Sequence, residues 1–242
     1  MEIRDSVAIV TGASRGIGRA TASLLAEHGA KVVVNARKES EGLLGVAKEL
    51  QARGPVLVAA GDVGDFDACR TIVRSAVERF GPVDVLVNNA GIFELKKAAV
   101  MEPRDWESTF RVHVFGAFNM IRHVLPTMIE RKRGVIVNIA SFAAVRPPGP
   151  GRAHYAAAKA ALLGLTRALG LEVAHANVRV AAVAPGLTDT EMVRRGIPNL
   201  AERVAHIPLG RMAKPEEIAH VVRFLIENDF VTAETVFVSG GE

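Results

Sequence analysis

The chain is short of cysteine, of aromatic residues and of long apolar runs, and each shortage removes a class of protein. Cys69 is the single cysteine among 242 residues. It has no partner for an intramolecular disulfide and no second thiol for a metal site, so neither a disulfide scaffold nor a thiolate metal centre is expected. No stretch approaches the roughly 18 apolar residues that cross a bilayer, and Met1–Asp5 runs directly into a strand pattern without a signal-peptide core. A cytoplasmic location without membrane contact is the expectation. Charge of one sign is scarce as well: 30 Lys and Arg stand against 26 Asp and Glu, a net charge of +4. The basic residues are scattered, whereas a nucleic-acid binder gathers them on a stripe, so no nucleic-acid partner is expected. The densest run, Arg131-Lys132-Arg133, falls at a helix end, where cations complement the helix dipole.

Apolar residues make up 49% of the chain and aromatics only 5%, so a large interior must rest on Val, Ala, Leu and Ile. Such an interior suits a sheet buried on both faces, whose strands read as aliphatic runs. Aliphatic runs at Ser6–Thr11, Lys31–Ala36, Val56–Gly61, Val83–Asn88, Val135–Ala140, Val178–Val183 and Thr235–Val238 read as strands. Helical patterns lie between them at Arg15–His28, Glu39–Ala52, Asp65–Phe80, Pro103–Arg131, Ala153–Ala174 and Pro215–Glu227. Strands alternating with helices predict an α/β fold, one doubly wound parallel sheet with helices on both faces. No linker or repeat divides residues 1–242, so a single domain is expected. Ligands of such sheets sit beyond the carboxyl ends of the strands. Two segments at those ends break the alternation: Phe142–Arg152, rich in Pro and Gly, and a long insertion at Thr188–Met212. Both are candidate walls of a substrate pocket.

Thr11-Gly12-Ala13-Ser14-Arg15-Gly16-Ile17-Gly18 joins the first strand to the first helix. Glycines there let the backbone approach a pyrophosphate, and the helix start offers it N–H groups and a positive dipole end. The spacing is G-x-x-x-G-x-G, so alone it is moderately specific. The second strand ends Val34-Asn35-Ala36-Arg37-Lys38, without the acid that commonly binds the ribose 2′-hydroxyl of NAD. Arg37, with Arg15 from the glycine turn, offers charge-assisted bonds to a 2′-phosphate instead. NADP(H) is therefore expected over NAD(H).

With these motifs the sequence resembles the short-chain dehydrogenase/reductase family. The likeness rests on Thr11–Gly18, Asn88-Asn89-Ala90-Gly91, Ser141, Tyr155-Ala156-Ala157-Ala158-Lys159 and Pro185-Gly186 with Thr190 after it. The resemblance spans essentially the whole chain. It implies a seven-stranded Rossmann sheet ordered 3-2-1-4-5-6-7, and a homodimer or homotetramer. It further implies that Gly12, Ser14, Arg15, Gly16, Ile17 and Gly18 meet the cofactor phosphates, and that Asp62 and Val63 contact adenine. Asn89, Ala90 and Gly91 would line the adenosine and ribose side. Pro185, Gly186, Thr188 and Thr190 would hold the nicotinamide end.

The chemistry such a site performs follows from residue types. Tyr155 and Lys159 are four apart on a helical pattern and emerge on one face. A free phenol titrates at about 10, and a nearby cation favours the phenolate. Tyr155 would then exchange a proton with a carbonyl or alcohol oxygen, Ser141 would hydrogen-bond that oxygen, and Lys159 would hold the ribose hydroxyls. As bare spacing, Y-x-x-x-K is common by chance; its register with the other motifs makes it specific. One departure stands out: His113, seven residues after Trp106, occupies the place of the family's asparagine. It either substitutes for that residue, since imidazole both donates and accepts, or packs a helix.

Met192, Val193, Ile197, Leu200, Ile207 and Leu209 lie among polar residues of the late insertion. The resemblance implies that this segment, about 188–212, covers the substrate, and its apolar content then suggests a hydrophobic carbonyl compound. An amphipathic helical hairpin packed on the sheet or on another subunit is the alternative. Phe93, Phe142, Val145 and Met192 are candidate pocket residues, and equally candidate core residues. The sequence is similar to bacterial 3-oxoacyl-[acyl-carrier-protein] reductases and related carbonyl, sugar or alcohol dehydrogenases. Arg131 and its neighbours resemble the carrier-docking patch of the former, but Ala176 stands where a second arginine is usual. A stand-alone carbonyl reductase is thus favoured over docking of an acyl carrier protein. Two alternatives remain: a catalytically silent NADPH-binding module, and an enzyme of the same fold doing dehydration, epimerisation or isomerisation, to which nothing in the sequence points.

Overall fold

The computed structural model describes residues 1–147 and 149–242; Pro148, inside the Pro/Gly-rich segment, lies outside the described residues. Seven parallel strands form one sheet: β1 (Val7–Val10), β2 (Lys31–Val34), β3 (Val56–Val58), β4 (Val85–Asn88), β5 (Gly134–Ile139), β6 (Val178–Pro185) and β7 (Thr235–Val238). Their order, β3-β2-β1-β4-β5-β6-β7, reverses direction at β1, and this is the doubly wound Rossmann arrangement expected. Helices α1 (Gly16–Glu27), α2 (Glu41–Gln51) and α3 (Phe66–Phe80) follow the first three strands. Then come α4 (Pro103–Phe110), α5 (Gly116–Glu130), α6 (Ala153–Val173), two short helices α7 (Glu191–Gly196) and α8 (Leu200–Ala205), and α9 (Pro215–Glu227).

The aliphatic composition explains the layers. Successive side chains of a strand point to opposite faces, so the all-buried VAIV of β1 feeds two cores at once. Ala8 and Val10 join the core beneath α1, α2 and α9, whereas Val7 and Ile9 join the one beneath α3, α5 and α6. At the amino end of the sheet, buried Asp84 is held by Arg131 at 2.8 Å, Arg133 at 3.0 Å and the Val7 N–H at 3.0 Å. The basic run read from the sequence as complementing a helix dipole is thus also a lock on the sheet.

One expectation needs correction. The stretch Pro103–Arg131 is not one regular helix: Arg111–Phe115 forms a single π turn between α4 and α5. The insertion Thr188–Met212 holds the two short helices α7 and α8; Thr190 caps α7 by accepting from the Val193 N–H at 3.3 Å. Helix ends move inward elsewhere, as where Ser40 caps α2 at Glu41. Among the described residues no helix is long and apolar enough to cross a membrane.

Candidate active site

The carboxyl ends of β1, β4, β5 and β6 converge on one cleft. At β1 the glycine turn leaves no room for side chains. Gly12 has φ +63°, and a Cβ there would stand 2.9 Å from the Ala90 Cα; a Cβ on Gly18 would strike the Gly12 carbonyl and the Asn89 amide. The turn is tied to β4 by Thr11, whose Oγ1 accepts from the N–H groups of Asn89 and Ala90, both at 3.0 Å. Asn89 Nδ2 donates back to the carbonyls of Thr11 at 2.8 Å and Gly12 at 3.1 Å. The Asn89 side chain therefore shapes the turn from beneath. A backbone cradle that a Cβ would fill, opening α1 without an acid in its first turn, fits a pyrophosphate.

At the tip of β2, Asn35 is buried and donates to the carbonyls of Ala59 at 2.8 Å and Gly61 at 3.1 Å, while Arg37 is exposed beyond it. Asp62 pairs with Arg111 at 2.9 Å and accepts from the Gly64 N–H at 2.9 Å. Burial pushes its carboxyl upward, but these partners outweigh that and hold it below the usual carboxylate range. Val63 is buried, and its carbonyl accepts from Asn119 Nδ2 at 3.0 Å. Arg15 is exposed and pairs with Glu191 of α7 at 2.6 Å, across the mouth of the cleft. At β6, the Gly186 N–H donates to the Val238 carbonyl at 2.9 Å, and Thr188 Oγ1 donates to the Gly186 carbonyl at 3.2 Å.

A buried polar chain sets the height of α6. Asn88 Nδ2 donates to Asn138 Oδ1 at 2.9 Å, Asn138 Nδ2 to Thr166 Oγ1 at 2.9 Å, and Thr166 to the Leu162 carbonyl at 2.7 Å. From α6, Tyr155 and Lys159 point into the cleft beside Ser141, which stands two residues beyond β5 and caps a short 3₁₀ turn. Ser141 Oγ accepts from the Ala143 N–H at 3.2 Å, and its side chain stands close enough to Tyr155 to favour the phenolate. Lys159 Nζ donates to the Ile139 carbonyl at 2.7 Å and lies 5.7 Å from the centre of the Tyr155 ring. Burial alone brings the Lys159 ammonium down to about 7. The phenol is pushed up by burial, only partly offset by Ser141 and by the Arg152 charge. Burial is thus the largest influence on both groups.

His113 sits on the π turn with its ring 5.4 Å from that of Tyr155, edge to face, and a Cβ on Gly91 would stand 2.6 Å from its Cε1. Nε2 lies 2.8 Å from the Ile92 carbonyl and 3.2 Å from the Ile92 N–H; the shorter contact assigns the proton to Nε2. Nδ1 is then a bare acceptor, buried and without a hydrogen-bond partner among the described residues. Burial and the nearby Lys159 charge bring the imidazole down to about 3, so it is neutral at ordinary pH.

Of the four pocket residues expected, Phe93 meets Tyr155 edge to face at 5.0 Å between ring centres. Phe142 packs on Phe237 of β7 and lines a cavity of about 730 Å³. Val145 is exposed and Met192 half-buried, and neither lines that cavity among the described residues. The sequence reading overlooked Arg152, whose guanidinium lies 5.9 Å from the centre of the Phe93 ring. Its place three residues before Tyr155, one helical turn away, was the available signal. Overlooked too was Glu191, which no motif marks.

The family model for short chain dehydrogenase matches residues 6–200. The chain belongs to that family. It is 38% identical to a 3-oxoacyl-[acyl-carrier-protein] reductase of Thermotoga maritima, covering 100% of this chain and 99% of the relative. It is 37% identical to the (2S)-[(R)-hydroxy(phenyl)methyl]succinyl-CoA dehydrogenase subunit BbsD of Thauera aromatica, over 100% and 98% of the two chains. Among solved structures, levodione reductase superposes with a TM-score of 0.93 at 32% identity, covering 98% and 97%. A 3-ketoacyl-(acyl-carrier-protein) reductase of Brucella melitensis, complexed with NADH, gives 0.92 at 33% identity over 99% and 98%. This short-chain dehydrogenase therefore shares its full length with oxidoreductases.

Proposed function

We propose that this short-chain dehydrogenase is an NADP(H)-dependent oxidoreductase that interconverts a carbonyl compound and a secondary alcohol. The observation that carries the reading is the meeting of half-buried Ser141 and Tyr155 with buried Lys159 beyond the carboxyl end of β5. The cradle of Gly12–Gly18 would hold the pyrophosphate, and Pro185, Gly186, Thr188 and Thr190 border the nicotinamide end. Bound there, the dinucleotide supplies or accepts the hydride. Tyr155 gives a proton to the carbonyl oxygen, or takes one from the alcohol, while Ser141 hydrogen-bonds the same oxygen as charge develops on it. Lys159, which donates to the Ile139 carbonyl, would hold the ribose hydroxyls, and such contacts would favour its charged form. An ammonium beside the phenol then lowers the cost of the phenolate. His113, neutral and with Nδ1 open, acts as a positioning residue that accepts a hydrogen bond on the Lys159 side.

The absence of an acid at the tip of β2, together with exposed Arg37 and Arg15, supports NADP(H) over NAD(H). The engagement of Arg131 with Asp84, and Ala176 in place of an arginine, favour a free substrate over a carrier-bound one. Exposed Trp106, Phe115 and Phe118 support self-association as a dimer or tetramer, which sedimentation would read. The deciding experiment follows NADPH absorbance over ketones, 3-oxoacyl thioesters and sugars, with Tyr155→Phe as control. Turnover by the wild type that falls at least about 100-fold in the variant supports the reading. Equal turnover in both, or no binding of either dinucleotide, refutes it.

A further inference from the structure

Helix α7 begins against the glycine turn. A Cβ on Gly16, which has φ +55°, would stand 3.1 Å from Thr190 Cγ2, so the residue that caps α7 rests on the turn that opens α1. Beside this contact Arg15 Nη1 donates to Glu191 Oε2 at 2.6 Å. The neighbouring acid is already engaged: the two oxygens of Asp189 accept from Arg194 at 2.5 and 2.7 Å. Glu191 is therefore the carboxylate that faces the turn, and its other oxygen lies 2.7 Å from Arg195 Nη2. That second partner lowers the cost of separating the first. Arg15 can leave without stranding the Glu191 charge, because Arg195 belongs to the same helix and stays. The Arg15 and Glu191 side chains are 63% and 38% exposed, so water weakens their pair and a stronger anion can displace it.

Arg15 thus has two claimants. The coenzyme reading above gives it, with exposed Arg37, to the 2′-phosphate of NADP(H), whereas the fold gives it to α7. A phosphate brings more charge and more acceptor oxygens than one carboxylate, so it takes the guanidinium, but only at the loss of a bond already made. NAD(H) brings no such group and leaves the pair closed. We propose that Glu191 is a coenzyme-specificity residue, which competes with the 2′-phosphate for Arg15 and so limits the preference for NADP(H). The competition is reciprocal: NADP(H) loosens the tie between the glycine turn and α7, and whatever strengthens that tie weakens NADP(H) relative to NAD(H). The tip of β2 carries no acid, so the negative charge that discriminates between the coenzymes comes from another segment, 150 residues further along the chain. This inference rests on the coenzyme reading and adds the residue that sets the size of the preference.

The test measures Kd for NADPH and for NADH by isothermal titration calorimetry on the full chain, at one low salt concentration and without any carbonyl substrate. Glu191→Gln should raise the preference for NADPH over NADH about 2- to 5-fold, the range of an exposed ion pair. Glu191→Asp keeps the charge on a side chain one methylene shorter and should fall between that variant and the wild type. Arg15→Gln should lower the preference. In the Arg15→Gln background Glu191→Gln should then change nothing, because no shared guanidinium is left. A preference unmoved by Glu191→Gln overturns the inference while the coenzyme reading stands. A gain that persists in the Arg15→Gln background overturns it too, since Glu191 would then act as a distant charge and not through Arg15. A preference unmoved by Arg15→Gln removes the assignment of Arg15 and the inference with it. Binding of neither dinucleotide overturns the reductase reading as well.

Discussion

Replacing Lys159 with methionine should change how the stability of the protein depends on pH. The Lys159 ammonium, deep in the cleft, falls from 10.5 to about 7 through burial. In the unfolded chain it returns to the ordinary value. Between pH 7 and 10.5 the unfolded chain therefore holds one proton more than the native protein, and native stability rises with pH at close to 1.4 kcal/mol per pH unit. Below 7 both states are charged and the dependence disappears; there the burial penalty stands in full, roughly 5 kcal/mol. From pH 7 to pH 9 this one group contributes about 2 kcal/mol of rising stability, or about 4–8 °C in Tm for a chain of this size. Lys159→Met lacks that contribution. Thermal denaturation of both proteins, at one protein concentration and without dinucleotide, should give midpoints that separate in slope between pH 7 and pH 9. Parallel curves would refute the reasoning, for they would mean that Lys159 keeps its ordinary affinity for protons within the fold.

Tyr155 is the only tyrosine, so its phenolate absorbance can be titrated directly: it should titrate above about 10 in the free protein and lower once dinucleotide and a charged Lys159 are in place. An unchanged titration on binding would remove the link between the two residues. His113→Asn should keep kcat within a few-fold, whereas His113→Ala should lower it about 5- to 10-fold, the worth of one hydrogen bond; full activity of the alanine variant would leave His113 a packing residue. In Arg15→Ala/Arg37→Ala, the ratio of kcat/KM for NADPH over NADH should drop roughly 10- to 100-fold, and an unchanged ratio would remove the 2′-phosphate assignment. Asp84→Ala, which strands Arg131, Arg133 and the Val7 N–H, should cost about 2–3 kcal/mol in urea denaturation; a cost near zero would show the lock to be idle.

Most of the architecture was legible because strands buried on both faces must be aliphatic, and the turn after β1 must be glycine where a Cβ would meet Ala90. The Ser141, Tyr155 and Lys159 grouping was legible for a similar reason: helical spacing fixes the last two on one face. What escaped depended on distance in space. The π turn has no composition of its own, because Arg111-Val112-His113-Val114-Phe115 could continue either helix. The pairing of Arg15 with Glu191 joins residues from separate segments. The protonation of the cleft also escaped. Residue types foretell that an ammonium will favour a phenolate, but only the depth of burial shows that the fold itself disfavours charge on both groups.

The π turn at Arg111–Phe115 has a mechanical consequence. One surplus residue in a single turn advances the phase of everything upstream by about a quarter of a revolution relative to an unbroken α-helix. That offset allows α5 to pack on α3 and the sheet while α4, reached through the same rod, leans on α6. Deleting any one residue of the five would restore a smooth rod and force a choice: either the rear half keeps its seat on the sheet, or the front half keeps its seat on the helix that bears Tyr155.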